Sequence, residues 1–175
     1  GVVWAEAPLA EPPSESPSRW IVLASSAGPS RAVAATLIAE HPTWQVVDGD
    51  DLLASMAGFG HLEGIVDLRT LDAPAFDGGE TSIDRALECG PIGVLAAARA
   101  LMTTAPAARL LIVTREAHRL PGDRHGVRVE QAPVLGMALV LDQEWPDLAV
   151  TTVDLDACDA ADTAAIISAE VRVDD

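Results

Sequence analysis

The chain has 175 residues, 49% of them hydrophobic, which is enough for one domain with its own core and too apolar for a disordered segment. Eleven basic against 27 acidic residues leave a formal charge of −16, so phosphate backbones and anionic lipid surfaces are poor partners. All the cations are arginine, and lysine and tyrosine are both absent, which excludes Schiff-base chemistry, a P-loop lysine and a Tyr–Lys proton-transfer pair within the chain.

In chain order, Gly1-Val2-Val3-Trp4 is a short apolar start, and residues 8–18 carry Pro8, Pro12, Pro13 and Pro17, the composition of an extended tether. Residues 20–24 predict a buried strand and residues 25–28 a turn. Pro29 suits a first helical position, and Val33, Leu37 and Ile38 mark one face of a helix reaching His41. A second strand is expected over 44–47, ended by Asp48-Gly49-Asp50-Asp51, then a short helix over 51–57 and a third strand over 64–68. Residues 80–104 read as helix, kinked or split by Gly90, Pro91 and Gly93. A fourth strand follows over 109–114, and a polar loop over 115–128 with Pro121, Gly122 and Gly126. The helix expected over 130–145 is apolar nearly all round, which predicts burial on both sides, and Pro146 closes it. A fifth strand over 149–155 and a helix over 160–171 complete the series.

Short apolar strands separated by helices imply parallel pairing with right-handed crossovers. The fold class is therefore α/β and Rossmann-like, a mainly parallel sheet flanked by helices on both faces, in a single domain over 1–175. Cys89 and Cys158 provide no disulfide framework and suit a reducing compartment. No basic, apolar-cored leader opens the chain, and the apolar run 134–141 falls far short of the ~18 residues of a membrane span. The expectation is a cytoplasmic protein without membrane or nucleic-acid partners.

Such a fold directs attention to the turn after the first strand, where a dinucleotide site carries G-x-G-x-x-G. Here that turn reads Ser25-Ser26-Ala27-Gly28-Pro29-Ser30, with Ser25, Ala27 and Ser30 at the three glycine positions. Small residues still let the turn pack, but the backbone cannot approach a pyrophosphate closely, and Pro29 removes an N–H from the helix start. Asp48 stands at the end of the next strand, where a ribose-binding acid belongs. An acid without its glycines has little to orient, and the preferred reading is a solvated strand-end acid followed by a capping Asp50.

Gly28-Pro29-Ser30-Arg31-Ala32 has the outline of a hydrolase nucleophile elbow, but Ser30 also reads as an ordinary first-turn residue. His118 and His125 lie in the polar loop with no evident orienting acid. His61-x-Glu63 and Asp123-x-His125 are generic, no metal-ligand spacing occurs, and Asp48/Asp50/Asp51 are expected to be solvated. Trp4, Trp20, Trp44 and Trp145 read as packing residues. The residues thus assign no catalytic, cofactor or metal site.

Four motifs occur in order: Ala108-Arg109-Leu110-Leu111-Ile112-Val113-Thr114-Arg115, Gln131-Ala132-Pro133-Val134-Leu135-Gly136, Glu144-Trp145-Pro146-Asp147-Leu148 and Val153-Asp154-Leu155-Asp156. Together with Gly64-Ile65-Val66-Asp67-Leu68-Arg69-Thr70-Leu71-Asp72, Trp4 and the proline-rich tether, this succession resembles the N-terminal, structural half of the ketoreductase region of modular polyketide synthases, over essentially the whole chain. The resemblance implies a truncated Rossmann-like half that binds no cofactor. Its companion half would hold NADPH and the Ser, Tyr and Lys that reduce a β-keto group on a carrier-bound chain. It also implies partners in the same polypeptide: the catalytic ketoreductase subdomain, enoylreductase, dehydratase or methyltransferase domains and, indirectly, acyl carrier protein. Leu135, Ala138 and Leu139 stand where the family often has Trp, Gly and Arg, and Trp145 where it often has His. Loss of that Arg removes a charge available for pairing across the halves, which is compatible with a pseudo-ketoreductase. The expected contacts are Gly1 to Trp4 and the apolar helix over 130–145. The competing readings are a nucleotide-binding enzyme using Asp48 and the turn from Ser25 to Ser30, and a serine hydrolase at Ser30.

Overall fold

The computed structural model describes residues 19–49, 52–119 and 126–172. Gly1 to Trp4, the tether at 8–18, Asp50, Asp51, Pro121, Gly122, Asp123 and His125 lie outside them. Five strands form one sheet: β1 Trp20–Leu23, β2 Gln45–Val47, β3 Gly64–Asp67, β4 Arg109–Arg115 and β5 Val150–Leu155. Every pairing is parallel and the order is β2-β1-β3-β4-β5. β1 and β3 are buried throughout, as expected for central strands covered on both faces; β1 is a continuous apolar run, while β3 ends in the buried carboxylate of Asp67. Leu23 lies opposite both Val47 and Asp67, which aligns the C-terminal ends of the first three strands.

Strand side chains alternate between two cores. On one face Ile21, Leu23, Ile65, Leu110 and Ile112 pack with helices α2 (Leu52–Met56), α4 (Gly93–Thr104) and α5 (Ala132–Glu144). On the other, Trp20, Val22, Val66, Leu111 and Val113 pack with α1 (Pro29–Glu40) and α6 (Ala160–Glu170). The expected helical stretch over 80–104 is split as its Gly and Pro residues require: α3 (Glu80–Leu87), one wide π turn (Glu88–Ile92), then α4. Gly90 leaves helical geometry there, and a Cβ on it would lie 2.8 Å from Val134 Cγ2, so its bare Cα admits α5. Although Glu80–Thr104 is long and apolar enough to cross a membrane by composition, Val94, Ala97, Ala98 and Leu101 lie wholly in the core.

α5 departs from expectation. Val134, Ala138 and Leu141 are buried, but Leu139 is 64% and Val140 52% exposed. The helix rests on the sheet by one stripe, and no described element covers its outer side. Two short 3₁₀ turns add to these elements: Arg69–Asp72 lies in a stretch that read as loop, and Val129–Gln131 takes the first residues of the helix expected over 130–145, so α5 itself starts at Ala132.

Candidate functional site

β2 lies on one side of β1 and β3 on the other, so the crossovers part at the C-terminal ends of β1 and β3. In open α/β sheets this is where ligands bind. A cavity of about 530 Å³ opens there, and Ser25, Ser26, Asp48, Arg69, Arg85 and Cys89 are among its walls. The structure thus brings Asp48, exposed at the end of β2, to the turn after β1, as the dinucleotide pattern suggested.

Asp67, at the end of β3, is fully buried and holds Arg69 by its Nε at 2.9 Å, its Nη2 at 2.5 Å and its backbone N–H at 3.1 Å. Burial works against the guanidinium charge, but the Asp67 carboxylate outweighs it and the pKa of Arg69 is raised. The more buried of the two arginines lining the cavity is therefore already committed to an internal carboxylate. Burial pushes the Cys89 thiol up, which makes it a weak nucleophile at neutral pH.

The turn from Ser25 to Ser30 holds the decisive contact. α1 begins at Pro29, which has no N–H, so the first available donor is the amide of Ser30. That amide donates to Asp72 Oδ1 at 3.0 Å, and the Ser30 hydroxyl donates to Asp72 Oδ2. The Ser25 amide in turn donates to Ser30 Oγ at 3.1 Å. Gly28 has φ +102°, a conformation that side chains resist, and a Cβ there would lie 2.7 Å from Asp72 Oδ1. Asp72 ends the first 3₁₀ turn, whose Thr70 hydroxyl donates to the carbonyl of Val113 in β4. A carboxylate of the chain itself thus sits at the helix end where a dinucleotide phosphate would be held. With this carboxylate in place and an N–H missing at Pro29, the turn does not fit a pyrophosphate group.

Ser30 is fully buried in the first turn of α1 and its hydroxyl is engaged with Asp72, the opposite of an exposed nucleophile, which agrees with the ordinary first-turn reading and disfavours the elbow. His118 does have an orienting acid, contrary to the reading of the sequence. Asp154 on β5 lies 3.2 Å from His118 Nδ1 and accepts the backbone N–H groups of His118 and Ala117 at 2.8 and 3.0 Å. The pair organises the turn after β4. Glu63 accepts the Trp20 indole N–H at 3.2 Å, and among the described residues no group of three potential ligands could hold a metal. Trp20 and Trp44 are core residues with ring centroids 5.9 Å apart, and Trp145 packs against the other core. Asp72, Asp67 and Asp154 were not singled out by the sequence.

Fold and site together define an α/β protein of Rossmann type with its phosphate-binding turn filled from within. At the level of sequence, no family model and no curated protein matches the chain. Among solved structures, it is similar to a C2-type ketoreductase from a modular polyketide synthase (TM-score 0.66, 23% identity, covering 88% of this chain and 36% of that one). It is also similar to an A1-type ketoreductase (0.68, 21%, 93% and 36%). A short-chain dehydrogenase/reductase from Corynebacterium glutamicum follows (0.61, 13%, 90% and 94%). The chain spans about a third of the length of the two ketoreductases it matches. At these identities the likeness establishes the fold.

Proposed function

We propose that the chain is the structural, non-catalytic half of a two-part polyketide synthase ketoreductase, acting as a buttress in the cytoplasm for a companion half that carries NADPH and the reducing residues. The observation that carries this reading is the outer side of α5, where Leu139 and Val140 present apolar surface that the described chain does not cover. Burial of that face against a neighbour is favourable at roughly 25 cal/mol per Å² of apolar area. Absence of lysine and tyrosine supports a division of labour in which reduction belongs to the companion half. A pseudo-ketoreductase that scaffolds an enoylreductase or methyltransferase uses the same face. Amide exchange along α5 is expected to be slower in the intact synthase polypeptide than in the isolated chain. Equal exchange in the two would overturn the buttress role.

A second reading, a nucleotide-binding enzyme, is favoured by the cavity that joins Asp48 to Ser25 and Ser26. Calorimetric titration of the isolated chain with NADPH, NADH and ATP separates the two. The buttress reading expects no saturable heat. Saturable binding that Asp48→Ala abolishes would establish the enzyme reading instead.

A further inference from the structure

We propose that Asp72 is a built-in occupant of the anion-binding end of α1, and that this carboxylate, more than the lost glycines of the fingerprint, closes the turn to pyrophosphate. The inference rests on the functional reading above and supplies its physical cause.

Three features set Asp72 apart from a passing surface contact. It meets the donors a phosphate would need: Ser30 gives both its amide and its hydroxyl hydrogen to the two oxygens of one carboxylate. It arrives on an anchored element, the 3₁₀ turn from Arg69 to Asp72 tied to β4 through Thr70, and Ser30 beneath it is fully buried. And Gly28 is fitted to it. One glycine does persist in the turn, yet the space where its side chain would stand is taken by Asp72 Oδ1 rather than left open to a ligand.

The substitutions at the three fingerprint positions, by contrast, are all small. Ser25 and Ala27 add only a hydroxymethyl and a methyl group, and Ser30 adds a donor that an anion could use. A carboxylate adds a full negative charge at the place where an incoming phosphate would have to sit, so exclusion is by like charge as well as by volume. The chain carries its own anion where relatives of this fold recruit one.

The test uses the isolated chain as wild type, Asp72→Ala and Asp72→Asn, with inorganic pyrophosphate as probe and thermal melting and calorimetry as readouts. Wild type is expected to give no saturable response. Asp72→Ala should gain saturable binding at least about tenfold tighter than wild type, and Asp72→Asn, which keeps an oxygen for Ser30 and drops the charge, a smaller gain. A folded variant that binds no better than wild type overturns this inference and leaves the buttress role standing. Saturable binding of pyrophosphate by wild type overturns the inference, while binding of NADPH through Asp48 is what would overturn the functional reading. Should both variants fail to fold, hydrogen exchange at the Ser30 amide in wild type decides. Protection is expected, and exchange at the rate of an open amide refutes the plug.

Discussion

His41 closes α1 and stacks on Trp44 with ring centroids 4.1 Å apart, its Nε2 lying 2.8 Å from Ser168 Oγ on α6. Burial, and then the charge of Arg172, hold its pKa below the ordinary 6.5, against the opposing pull of Glu40. As pH falls, the unfolded chain therefore binds this proton first, and stability contributed by neutral His41 is lost as pH drops below about 6.5. The urea midpoint should fall between pH 7.5 and 5.5, and His41→Gln should flatten that fall. An equally steep profile in the variant would exclude His41 as the source. Asp67 supports a stronger expectation. Removing it leaves the Arg69 guanidinium, 13% exposed, without its partner, and breaking such a pair costs about 3–5 kcal/mol. Asp67→Ala should therefore be among the most damaging substitutions in the sheet, as read by loss of the native far-ultraviolet signal at low urea.

Among the elements, α5 allows a direct comparison of its two sides. Leu141 is 2% exposed and packs in the core with Val94, Leu101 and Ile112, so Leu141→Ala should cost about 2–5 kcal/mol in denaturant unfolding. Leu139, two residues earlier and 64% exposed, should tolerate Asn within about 0.5 kcal/mol in the isolated chain. If Leu139→Asn proved as costly as Leu141→Ala, the outer side would not be free surface. The sequence did not disclose this difference, because an all-round apolar helix states only that both sides avoid water, not that the second partner belongs to the same chain. The strands were easier to read, since central parallel strands such as Ile21-Val22-Leu23 and Ile65-Val66 are continuous apolar runs between turn residues. Pro91 removes a donor wherever the fold places it, so the split in the helix could be anticipated. The 3₁₀ turn at Arg69–Asp72 is shorter than any hydrophobic period and gave no signal, while the one at Val129–Gln131 merged with the pattern of the helix that follows it.

For the molecule as a whole, the site was legible only in part. Local spacing placed the turn from Ser25 to Ser30 and brought Asp48 to it, but Asp72 reaches Ser30 across 42 residues and Asp154 reaches His118 across 36. Parallel crossovers create such pairings, and nothing near either residue encodes them. The formal charge was legible at once, and it has a mechanical consequence. Arg69, Arg85 and Arg128 are paired with Asp67, Glu88 and Glu130, which leaves a large acidic excess spread over a small surface. Self-repulsion of that excess favours the expanded chain, and salt screens it over a Debye length of about 10 Å at 0.1 M and about 3 Å at 1 M. The melting temperature should therefore rise as sodium chloride is increased from low ionic strength toward 1 M. A flat or falling response would mean that the acids are already neutralised by neighbours. Salt also separates this global effect from His41. Acidification relieves the repulsion while it penalises the half-buried His41 imidazole, so the two oppose each other at low salt. Burial, the largest cause of the His41 shift, is not screened by ions, so the loss of stability toward pH 5.5 should be steeper in high salt than in low.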